Sequence, residues 1–80
     1  VRFWAAPEQV PYIETKPLHK SQFVVQRNDD DSAIFQIEVV LNYELEKDLL
    51  GFGESVKVLS PRILVHNISK RLLRAAQNYQ

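Results

Sequence analysis

Eighty residues suit one small domain, near the lower size at which packing can offset chain entropy, and 45% apolar content is enough for a core. With no cysteine the chain has neither a disulfide framework nor a thiolate metal site, and no apolar run is long enough for a membrane-spanning helix. The formal net charge of zero hides a segregation: residues 1–27 carry +2, residues 28–54 carry −7, and residues 55–80 carry +5 with no acid among them. A basic C-terminal segment of this kind can meet phosphate or an acidic surface, although cations also complement a helix C-terminus.

The opening "VRFWA" alternates, with Val1, Phe3 and Ala5 on one face and Arg2, Trp4 and Ala6 on the other, which predicts a first strand. In "APEQVPYIETKP" the prolines Pro7 and Pro11 confine a short helix to about two turns. "SQFVVQRN" and "SAIFQIEVVLN" flank the turn-forming "RNDDDS" and predict a hairpin. In its second strand Phe35, Ile37, Val39 and Leu41 share the core face, and Ile34, Gln36, Glu38 and Val40 the other.

Asn42 is placed to cap the next helix, with Leu45 and Leu49 on its buried stripe and Gly51 in the left-handed position that ends it. "SVKVL" predicts a fourth strand. Ser60 as capping hydroxyl and Pro61 at the first helical position start a final helix, along which Leu64, Ile68, Leu72, Ala75 and Tyr79 recur at helical spacing. The fold class is therefore α+β, a ferredoxin-like βαββαβ order with a four-stranded antiparallel sheet and an added C-terminal helix.

"LLGFGESVKVL" raises the possibility of an RNA-binding strand, because Gly-Phe-Gly occurs in such motifs. Leu50 stands where that motif needs Lys or Arg, Glu54 stands where it needs an aromatic, and the segment lies between a helix and a strand. The glycines have backbone duties. Catalytic footing is equally poor: His19 and His66 belong to no metal or triad spacing and no phosphate loop is present, so no enzyme, metal or cofactor is expected. His19 beside Ser21 pairs a base with a hydroxyl but has no orienting acid in sequence.

"YIETKPLHKSQ", followed by the strand pair and "LNYELEKDLLGFGESVKVLSPRILVHNISKRLLRAAQNY", resembles the C-terminal extension (WCX) domain of WYL-domain transcriptional regulators. The resemblance covers nearly the whole chain. It implies one domain over residues 1–80 cut from a larger bacterial regulator, cytoplasmic, with a winged helix-turn-helix and a WYL domain in the missing part. It also implies contact with a WYL domain of the same or a partner chain, a full-length homodimer, and DNA binding only through the missing N-terminal domain. Neither the WYL triplet nor a recognition helix is present, since Ala5 and Ala6 follow Trp4.

The functional expectation is a regulatory and interaction module that transmits effector state. Its candidate residues are the loop His19, Ser21 and Gln22, which offers donors and acceptors at a sheet entrance, and Trp4 as an interface aromatic unless it is buried under the last helix. The alternative is direct binding of nucleic acid or a small anion through Arg62, Lys70, Arg71 and Arg74. Against it stands the scarcity of strand aromatics, Phe23 and Phe35 both being core candidates.

Overall fold

A computed structural model describes residues 1–80. Its elements run β1 (Arg2–Ala5), α1 (Val10–Thr15), β2 (Phe23–Arg27), β3 (Ala33–Gln36), α2 (Tyr43–Leu50), a 3-10 turn (Gly53–Ser55), β4 (Val56–Ser60) and α3 (Arg62–Gln77). The four strands form one sheet in the order β2-β3-β1-β4, every neighbouring pair antiparallel. The fold is α+β with a C-terminal helix.

Alternation decides which face of the sheet is core. Phe3 and Ala5 of β1 and Ala33 and Phe35 of β3 are buried, and Phe3 stacks on its register partner Phe35 with ring centroids 5.5 Å apart. Val10 and Ile13 of α1, Leu45 and Leu49 of α2, and Leu64 and Ile68 of α3 close over that face. Full burial of Phe3, Phe35, Ile13, Ile37 and Leu64 contributes about 1.5–3 kcal/mol each. Trp4 lies on the opposite face, so it is not under the last helix.

Three local expectations are corrected. The second hairpin strand stops at Gln36 rather than Asn42, because both partners end there: Gln36 pairs with Arg2, the first residue of β1, and Phe23, the first of β2. Only Ile37 continues the ladder, donating its amide to Val1 O at 2.8 Å, and Leu41 and Val40 are exposed. Gly51 does not take the left-handed position; its φ is −62°, ordinary helical backbone, and Gly53 takes that role with φ 57°. Ser60 remains in β4, so Pro61 is itself the N-cap of α3 and makes no side-chain cap bond. The Asn42 cap forms as expected, its Oδ1 accepting from the Leu45 amide at 2.8 Å.

Candidate functional site

Three surfaces hold the residues that the sequence singles out. The first is the loop between α1 and β2. Its Gln22 Nε2 donates to Ile13 O at 3.1 Å while Gln22 Oε1 accepts from the Leu18 amide at 3.0 Å. The carbonyl of Ile13 belongs to the last turn of α1, which has no helical partner to offer it. Ser21 Oγ accepts from the Glu38 amide at 2.8 Å, tying the loop to the chain just beyond β3. Ser21 also donates its amide to His19 Nδ1 at 3.1 Å.

The structure thus brings His19, Ser21 and Gln22 together and turns their polar atoms mostly inward. His19 Nδ1 and Ser21 Oγ are 2.8 Å apart, yet the hydroxyl also serves the backbone of Glu38, and no carboxylate bonds the free Nε2. A base and a hydroxyl without an orienting acid make an incomplete catalytic set. No cluster of three or more His, Cys, Asp or Glu side chains could hold a metal ion.

The second surface is α3. Its first half buries Leu64 and Ile68 in the domain, while every residue from Arg71 to Gln80 is exposed. The stripe read from sequence therefore divides. Leu72 is 43% exposed and Tyr79, beyond the helix end, 91%. The basic residues divide as well: Arg62 opens the helix, about 12 Å from Lys70 by helical rise. Arg71 is not a free cation, since its Nε reaches Glu46 Oε1 at 2.8 Å and its guanidinium lies 5.0 Å from the Tyr43 ring centroid. That clasp fastens α3 to α2 and leaves Lys70 and Arg74 without a carboxylate partner.

Tyr43 and Glu46 are residues that sequence reasoning missed as parts of this surface. Lys47 also approaches the Tyr43 ring, at 5.8 Å, so one ring serves two cations. The available signal was an acidic first turn of α2 set against an acid-free α3.

The third surface is the sheet face turned from the helices. Trp4 is half-buried there, between Ile34 and Lys57 in register, with Leu59 beside it around a shallow hollow of about 340 Å³. Phe23, a core candidate on sequence grounds, points out on the same face and is 50% exposed, while Phe35 is core. The irregularity between Val24 and Gln26 in the β2–β3 pairing explains the error, because a bulge shifts parity along the strand.

The WCX domain family model matches residues 1–76. The chain belongs to the WCX domain family. The match spans all three surfaces of this WCX domain, from Trp4 through the His19 loop to Arg74. None of the curated proteins matches it significantly.

Proposed function

We propose that this WCX domain is the C-terminal regulatory and interaction module of a WYL-type transcriptional regulator, and that it works by docking rather than by chemistry. The observation that carries the reading is the projecting half of α3. Leu72, Leu73, Ala75 and Ala76 lie there on a segment with cations and no acid, and all four are exposed. The Cα radius of gyration, 12.6 Å against about 11.6 Å for a compact chain of this length, fits a helix that extends past its own core. Large exposed apolar side chains on a helix face suit a partner surface.

The partner is a WYL domain of the same or a neighbouring chain in a full-length homodimer, with DNA reading left to an N-terminal domain. The strand order and antiparallel pairings support a ferredoxin-like plan with an added helix as the scaffold. Binding of nucleic acid or an anion through the helix cations has less support, because Arg62 stands apart and Arg71 is engaged by Glu46.

The test is made in the full-length regulator. Leu73 is 62% exposed, so Leu73→Glu should leave the stability of the 80-residue chain within about 0.5 kcal/mol. In the full-length protein the same change should weaken the interdomain or dimer contact at least about tenfold, as loss of a central apolar anchor does, and blunt a reporter response to effector. An unchanged response and assembly would refute the docking role of α3.

A further inference from the structure

The two edges of the sheet are unlike. At β2 the ladder is broken between Val24 and Gln26, in the middle of the strand, and Arg27 is drawn across to Glu14 of α1. At β4 the pairing with β1 is regular from Val56 to Val58, and its irregularity falls past Val58, near the end of the strand. The Ala6 amide donates to Ser55 O at 2.8 Å, and antiparallel alternation from that bond gives the Lys57 amide and carbonyl to Trp4. The N–H and C=O groups of Val56 and Val58 therefore point away from β1, to an edge that no strand of the sheet occupies.

Beside that edge runs a groove of about 360 Å³ between β4 and α3, with Val56, Val58, Val65, Ile68 and Leu72 in its walls. Val58 and Ile68 are buried and Leu72 is exposed, so the groove leads from the core surface out to solvent. Open backbone groups beside an apolar groove are the two parts that recognition by strand addition uses: main-chain bonds give affinity, and pockets for alternate side chains give specificity. A strand added antiparallel to β4 sets the side chain opposite Val58 over the groove and the one opposite Lys57 on the other face. Charge selects the occupant. Residues 55–80, which supply all five of those apolar side chains, carry +5 with no acid, and Glu54, just before β4, is the single carboxylate on the groove. A second copy of this edge would bring two Lys57 side chains and two acid-free helices together, whereas an acidic segment meets opposite charge along its length.

We propose that the β4 edge binds an extended acidic peptide as a fifth strand antiparallel to β4, with aliphatic side chains in the groove against α3 and carboxylates near Lys57. The peptide residues opposite Val56 and Val58 exchange N–H and C=O bonds with them, so backbone pairing and side-chain seating fall on the same residues. The inference does not rest on the docking reading: Leu72 lines the groove, and Leu73, the anchor of that reading, does not.

The probe is a labelled synthetic peptide of about eight residues that alternates valine with glutamate, titrated into the chain and read by anisotropy. It should bind, and at saturation hydrogen exchange at the Val56 and Val58 amides should slow at least about tenfold, while that at Lys57, already bonded to Trp4, changes little. Methylating the valine nitrogens of the peptide should abolish binding, and methylating its glutamate nitrogens, which face away from β4, should not. Replacing its glutamates by lysines should weaken binding at least about tenfold. Leu72→Ala should weaken it about tenfold and Lys57→Gln about two- to fivefold. Leu73→Ala should leave it unchanged, and circular dichroism confirms that each variant is folded. Equal binding of the lysine peptide, binding that survives methylation of the valine nitrogens, or loss with Leu73→Ala but not Leu72→Ala would overturn the proposal. So would self-association of the chain that the peptide displaces, which would give the edge to a second copy.

Discussion

Gln22 illustrates how a residue with recognition chemistry can be used for structure. Both ends of its amide are spent inside the domain, one on the carbonyl of Ile13 and one on the amide of Leu18. Gln22→Ala would strand both backbone groups in a half-buried loop, and losing partners in that way costs about 1–3 kcal/mol. His19→Ala removes the Nδ1 partner of the Ser21 amide and hydroxyl, at a partly exposed position where the hydroxyl keeps its bonds to the Glu38 backbone, and should cost less. Urea melts of the two variants check the order; equal, negligible losses would return the loop to recognition. Residue type alone could not have decided this, because the partners of Gln22 lie four and nine positions back in the chain.

At the scale of elements, what could be read from sequence was what periodicity and caps encode. Strand β1 alternates without interruption, Asn42 caps α2 through a bond three residues long, and the Leu45 and Leu49 stripe is buried as the spacing required. What escaped were features set by partners: the bulge that turns Phe23 outward, the end of β3 where β1 and β2 run out, and the exposure of the second half of α3. The two glycines show the same limit. A Cβ on Gly51 would meet Asp48 O at 3.4 Å, an ordinary contact, on backbone any residue can adopt. A Cβ on Gly53 would meet nothing, yet φ there is 57°, where a side chain costs about 1–2 kcal/mol. Gly53→Ala should therefore destabilise by about 1 kcal/mol, and Gly51→Ala should be neutral or slightly stabilising by reducing unfolded-state entropy. Thermal melts of the pair would check this, and the reverse order would contradict the assignment of the left-handed position.

Over the whole molecule, charge is sorted by element, and the sorting sets how the domain responds to acid. Arg27 of the edge strand β2 reaches back to Glu14 of α1 at 3.0 Å, and its hydrogen bond and charge hold the Glu14 carboxyl below its ordinary 4.5. Asp30, in the turn joining β2 to β3, accepts from both the hydroxyl and the amide of Ser32, and these bonds hold it below its ordinary 3.8. A carboxyl whose folded value is depressed adds stability that is fully present above its unfolded value and is lost as pH falls through the folded one. Stability from these two groups should thus be level above about pH 5 and decline once the pH drops below 4.5 for Glu14 and 3.8 for Asp30. Protonating the acidic centre also leaves the cations of α3 uncompensated, so repulsion steepens the same decline. Glu14→Gln and Asp30→Asn should melt below the parent near neutral pH, with the gap closing in acid. The Glu14 gap alone should shrink at high salt, because both partners of its ion pair are exposed, 60% for Arg27 and 40% for Glu14. Melting curves from pH 7 down to about pH 2 would show this, and a gap that persisted at the lowest pH would mean that these substitutions act through packing, not through charge.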